Sequence, residues 1–308
     1  MLRQTLFKMS QQEQLRNIAT HNGLAQNMAR RFVAGVAIED AMKVVGQING
    51  RGMSATLDHL GENVSTEAEA AAAADSYCDI LRTISERGVD CNVSLKLTQF
   101  GLDRGHVVAV ENLRRVLDTA AQRDTFVRID MESSDYVDRT LEIFFEMWST
   151  YKNVGVVLQS CLHRTRADLE QVIEAGARVR LVKGAYLEPP SVAYQAKADV
   201  DANFLRLAYT LLSRGNYPAI ATHDLSIIDA TREHARVHGI DRSRYEFQML
   251  YGIRRDLQAR LVEEGYSVRI YVPFGVHWYP YMMRRMAERP ANLFFVLSNL
   301  AREARPGR

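Results

Sequence analysis

Two hydrophobic periods take turns along this chain. Val268, Ile270 and Val272 alternate with Arg269 and Tyr271, a period of two that predicts a strand. Pro273 and Gly275 are expected to end it. Pro280 fits a helix only near its start, so a helix is expected over Trp278–Ala287. The same succession recurs upstream. Strands are predicted at Ser54–Leu60, Asn92–Thr98, Thr125–Met131, Gly155–Gln159, Ala177–Val182, Pro218–Thr222 and Tyr245–Leu250. A helical segment follows each. The first has a capping box at Thr66 and Glu69 and a Gly88 stop. Eight strand–helix units place the chain in the α/β class, as a (β/α)8 TIM-type barrel. An open doubly wound sheet is the alternative, but neither GxGxxG nor GxxxxGK[ST] occurs. Residues 1–48 offer no strand. Leu2, Leu6 and Met9, then Ala25, Met28, Phe32 and Val33, predict an N-terminal helical arm ahead of a barrel over 49–308. A last helix is expected over Asn292–Ala304.

Bulk properties narrow the class. The 308 residues are 47% hydrophobic and 25% charged, as in a soluble globular protein, and a net charge of +2 gives no call for nucleic acid. Cys78, Cys91 and Cys161 are far apart with no CxxC, which argues for a reducing compartment. With no long apolar run and no signal core, a cytoplasmic protein is expected. Leu293, Phe294, Phe295, Val296, Leu297 and Leu300 are expected to pack on the barrel, and peripheral membrane contact through them is the alternative.

In this fold, chemistry sits at the C-terminal ends of the strands. Those ends read Lys96, Asp130, Gln159, Arg180, Thr222 with His223, Gln248 and Tyr271. Alternation puts Asn92, Ser94, Lys96 and Thr98 on one face, and Arg128, Asp130 and Glu132 on another. Ionisable groups pointing into a barrel mouth must be paired or ligand-bound, because burying a lone charge is costly. Plain structural readings stand beside this one. Lys96 and Asp130 would be a closing ion pair, Asp224 a helix cap, and Gln159 and Gln248 structural hydrogen bonders. After the eighth strand, Arg284 and Arg285 share a helix face with Tyr281. A guanidinium pair beside a ring suits a bound carboxylate, though a solvated surface pair has the same sequence. No HxH, HExxH or GxSxG spacing supports a metal or a serine nucleophile.

Taken together, VSLKLTQFG (93–101), RIDMES (128–133), RLVKGAY (180–186), ATHD (221–224), FQMLYGIR (247–254) and the YVPFG and WYPYMMRRMAERPAN segments within 271–292 carry a resemblance. The chain closely resembles the monofunctional bacterial proline dehydrogenases, relatives of the dehydrogenase domain of bifunctional proline-utilisation flavoenzymes. The resemblance implies a distorted (β/α)8 barrel with non-covalent FAD. It implies oxidation of L-proline to Δ1-pyrroline-5-carboxylate, the first step of proline catabolism. Hydride would pass from ring C5 to flavin N5, and electrons to a membrane quinone. Arg284, Arg285 and Lys96 match residues that hold the substrate carboxylate. Tyr271 and Tyr281 match tyrosines around the ring. Asp130 matches an active-site aspartate, and Arg180 an arginine near flavin N5. Met131, Gln159, Lys183, Gly184, Ala185, Thr222, His223 and Gln248 match positions associated with FAD. Glu62 matches a glutamate that gates the substrate by pairing with a clamp arginine.

The chain departs from the family at Cys161, His163 and Phe274. Tyr271 is retained, which favours proline over its 4-hydroxy form. Other readings are a different flavin barrel, either a hydroxyproline dehydrogenase or one resembling methylenetetrahydrofolate reductase, and a barrel that binds without catalysis.

Overall fold

The computed structural model describes residues 29–288, apart from the side chains of Arg284, Met286, Ala287 and Glu288. Eight parallel strands close into one barrel in sequence order. They are β1 (Ser54–His59), β2 (Cys91–Leu95), β3 (Val127–Ile129), β4 (Val154–Gln159), β5 (Arg178–Val182), β6 (Ala219–Ala221), β7 (Glu246–Leu250) and β8 (Val268–Phe274). The seam is sealed by β8 against β1, from Ser54 opposite Arg269 to His59 opposite Phe274. The TIM-type barrel expected from the sequence is therefore the fold.

Helices α1 (Ile38–Asn49), α2 (Glu67–Arg87), α3 (His106–Ala121), α4 (Val137–Thr150), α5 (Thr165–Glu174), α6 (Lys197–Arg214), α7 (Leu225–Val237), α8 (Arg255–Glu263) and α9 (Trp278–Glu288) accompany the strands. The capping box forms as the sequence predicts: Thr66 accepts from the Glu69 amide, and Gly88 takes the left-handed conformation at φ 61°. The expected helix at Asn292–Ala304 and the apolar positions before residue 29 lie outside the described residues.

Two features bend the ideal plan. First, α1 packs outside β1 and β8 with Ala41, Met42, Val45 and Ile48 buried. It takes the wall position beside β8 that α9 would occupy in a regular barrel. Second, α9 is thereby released to pack over the mouth. Trp278, Tyr279, Tyr281, Met282 and Met283 join Leu60, Phe32 and Val33, with Ile253 and Tyr271 against them.

One boundary expectation is corrected: Pro273 does not end β8, which runs through it to Phe274. The Phe274 carbonyl accepts from Leu60 on the β1 side. Its neighbour Pro273 therefore faces the other way, where β7 has already ended at Leu250, and no ladder donor is lost. Lys96, expected inside β2, lies just beyond its end at Leu95.

The core lies between sheet and helices, not inside the barrel. Leu57, Val93, Leu95, Ile129, Val156, Leu181, Ile220, Phe247, Ile270 and Val272 are fully buried in it. The lumen is instead polar: Asp58, Ser94, Arg128, Gln159, Arg180, Glu246 and Gln248 are all buried. At its floor, the Arg269 Nε donates to Glu246 at 3.1 Å. The Arg128 guanidinium donates to the carbonyls of Arg178 (2.7 Å) and Val156 (3.2 Å) and stacks over Phe126. Gly155 makes room for it, since a Cβ there would lie 2.5 Å from the Arg178 carbonyl and 2.7 Å from Arg128.

Candidate active site

The strand ends converge as the alternation requires. Arg180 reaches across the lumen from β5. Its Nη1 donates to Asp130 (2.6 Å) and Ser94 (3.0 Å), and its Nε donates to Gln248 Oε1 (2.6 Å). Tyr271, from β8, lies under the same guanidinium at 5.3 Å. Its hydroxyl is 2.6 Å from Asp58 and 2.9 Å from Asp130. Burial first, then the two carboxylates, hold the phenol well above its ordinary pKa, so it remains a donor.

Lys96 pairs with Asp58 at 3.3 Å. Burial alone would lower its pKa, but Asp58, Asp130 and Glu62 outweigh burial and raise it. The cation is thus charged while nearly inaccessible. The plain reading that paired Lys96 with Asp130 is corrected: Asp130 belongs to Arg180, and Lys96 to Asp58. Asp58 is the residue sequence reasoning missed. Its signal was there, since Thr56 and Asp58 alternate with the buried Ala55 and Leu57.

A second group gathers around β4 to β7. Gln159 Nε2 donates to the carbonyl of Glu132 (2.8 Å), Met131 beside Glu132 is buried, and so is Thr222 just after β6. Lys183 lies 2.5 Å from Asp201 and 3.1 Å from Asp224. Asp224 caps α7 as its plain reading held, accepting from Ser226. His223 Nε2 accepts from the Leu250 amide at 2.9 Å, joining the β6 and β7 ends. Gly184 has φ 108°, and any Cβ would collide with Cys161 Sγ, while Ala185 beside it is half-buried.

Over the mouth, Tyr281 shares an apolar cluster with Tyr271, and the Arg285 guanidinium lies 5.3 Å from the Tyr281 ring. Glu62 sits half-buried on the loop after β1, within electrostatic reach of Lys96. The Arg284 side chain lies outside the described residues. The structure thus joins Asp130, Arg180, Gln248 and Tyr271, Lys96 to them through Asp58, and Tyr281 through α9.

A closed parallel barrel with ionisable groups gathered at the C-terminal strand ends is the arrangement of a (β/α)8 enzyme. Comparison with known proteins is more specific. The family pattern described as proline dehydrogenase matches residues 41–297, and the chain belongs to that family. Proline dehydrogenase 1 of Bacillus subtilis subsp. natto is 42% identical over 98% of this chain and 100% of its own length. Proline dehydrogenase of Deinococcus radiodurans is 42% identical over 89% of this chain and 90% of its own. Among solved structures, proline utilization A from Bdellovibrio bacteriovorus superposes with a TM-score of 0.80 at 27% identity, covering 85% of this chain but 32% of the larger one.

Proposed function

We propose that this protein is an FAD-dependent dehydrogenase that oxidises L-proline to Δ1-pyrroline-5-carboxylate. The observation that carries the reading is the joined set Lys96–Asp58–Tyr271–Asp130–Arg180 under an aromatic and cationic helix. A small zwitterion needs cations for its carboxylate and an apolar wall for its methylenes. Lys96, Arg284 and Arg285 would hold the carboxylate, because guanidinium and ammonium donors match its oxygens. Tyr271 and Tyr281 would form the wall. Glu62 would close the pocket by pairing with a clamp arginine. Asp130 fixes both Arg180 and Tyr271, so the cation and the ring keep one relative position.

The residues present suit a flavin. Gly184 holds a left-handed backbone packed on Cys161 Sγ, a turn beside Gln159 that a side chain would disrupt. Gln159 and Gln248 offer buried amides, and Arg180 offers a buried cation where negative charge would develop. Met131, Lys183, Ala185, Thr222 and His223 would complete its cradle. Bound FAD would supply the two-electron acceptor for hydride from ring C5, with a quinone as the onward electron acceptor. Among the described residues no helix is long and apolar enough to cross a membrane. The protein would work in the cytoplasm and meet quinone at the membrane surface.

An anaerobic spectral titration tests this reading. The purified protein should be yellow, bleach with L-proline, and remain oxidised with NADPH. A colourless protein, or bleaching by NADPH alone, would defeat it.

A further inference from the structure

Glu132 takes no part in the chemistry described above, yet it is buried to 4% exposure three residues beyond β3. Its two oxygens clasp one residue. Oε1 accepts from the Thr98 amide (3.1 Å) and Oε2 from the Thr98 hydroxyl (2.6 Å). Thr98 lies two residues after Lys96, in the turn where Gln99 also bonds back to the Lys96 carbonyl (3.2 Å). Thr98 in turn carries the loop after β1. Its hydroxyl accepts from the Asn63 amide (3.3 Å) and its carbonyl from Val64 (3.4 Å). Asn63 adopts a positive φ of 54° immediately after Glu62. A second tie runs from Gln99 Nε2 to the His59 carbonyl (3.1 Å), with Gly61 packed against that amide. One buried carboxylate therefore anchors the turn after Lys96 and the loop that bears Glu62.

We propose that Glu132 is a positioning residue for the substrate pocket, holding Lys96 and Glu62 in register through Thr98. The proposal rests on the functional reading above for what those two residues bind. A bidentate carboxylate on an amide and a hydroxyl is a short, directional contact. Losing one oxygen frees the hydroxyl that orients Asn63, and the loop after β1 gains freedom at the pocket edge. Ionised, Glu132 accepts both bonds; protonated, one oxygen becomes a donor and the Thr98 hydroxyl must turn. Burial, aided by Glu62, pushes the carboxyl up to about 7 against the Thr98 bonds and the charge of Lys96. Its charge in turn helps to raise the Tyr136 phenol, after burial and Asp103.

The test uses Glu132→Gln at pH 8, where the wild-type carboxyl is ionised. The amide keeps the bond from the Thr98 backbone and loses the acceptor for its hydroxyl. The KM for L-proline should rise roughly 5–20-fold with kcat changed less than about 3-fold, because ground-state binding is what loosens. Thr98→Val should do the same, and Thr98→Ser should retain wild-type behaviour. The double variant should be no worse than Thr98→Val alone, since the hydroxyl bond that Glu132→Gln removes is already gone there. Hydrogen exchange at residues 61–65 should quicken in Glu132→Gln, a readout that needs no turnover. A lower melting temperature with KM and 61–65 exchange unchanged would overturn the proposal and make Glu132 merely structural. A wild type inert toward L-proline would defeat the function instead, and the exchange comparison would still decide the clasp.

Discussion

Glu132 also makes stability depend on pH. Burial raises its carboxyl from an ordinary value near 4.5 to about 7. The unfolded chain ionises this group first, so folding favours the protonated form. The resulting stabilisation is complete below pH 4.5 and is lost as pH rises through 7. That interval corresponds to about 3 kcal/mol. Urea unfolding at pH 5 and pH 8 should show wild type losing this amount relative to Glu132→Gln, and parallel curves for the two proteins would refute it. Individual residues also show where sequence reading stops. Alternation marks Lys96, Asp130 and Arg180 as facing inward, but not which of them meet. Partners across the lumen are set by the stagger between strands, and that stagger gives Asp130 to Arg180 on β5 and leaves Lys96 to Asp58 on β1.

The strands were legible because each carries an outward apolar row that the helices cover. Leu57 on β1, Val93 and Leu95 on β2, and Ile270 and Val272 on β8 are examples. The inward rows were harder to read, since a TIM barrel interior is ordinarily filled by branched apolar side chains. Here β4 meets a buried cation instead. Gly155 leaves its place on that strand to the Arg128 guanidinium, whose pKa burial and Arg180 both lower. Gly155→Ala should cost about 3 kcal/mol, because its methyl would meet backbone on one side and that cation on the other. A denaturation midpoint within error of wild type would show that Arg128 has somewhere else to go. Pro273 illustrates the opposite error: a residue that reads as a stop is harmless where the neighbouring strand has already ended.

For the molecule as a whole, the exchange of roles between α1 and α9 was not visible in the sequence. A helical arm was expected ahead of the barrel, but Phe32 and Val33, two of the positions that predicted it, lie in a turn before α1, and periodicity says nothing of which strand a helix covers. Val45 is fully buried in α1, the helix that packs on β1 and β8. Val45→Asp should destabilise the protein by about 4 kcal/mol or more, since it buries an unpaired charge. A loss under about 1 kcal/mol by urea unfolding would show the α1 wall to be dispensable. The exchange also has a consequence in time. On the ribosome, α1 is made first and β8 last. Roughly 220 residues separate Ile48 from Val268, which at about 5–20 residues per second is on the order of 10–45 s of synthesis. For that interval, the part of α1 that packs on β8 has no partner, and β1 presents an unpaired edge that another nascent chain can reach. Translation speed and chaperone supply should therefore govern the yield of this protein chiefly through one late event, the arrival of β8.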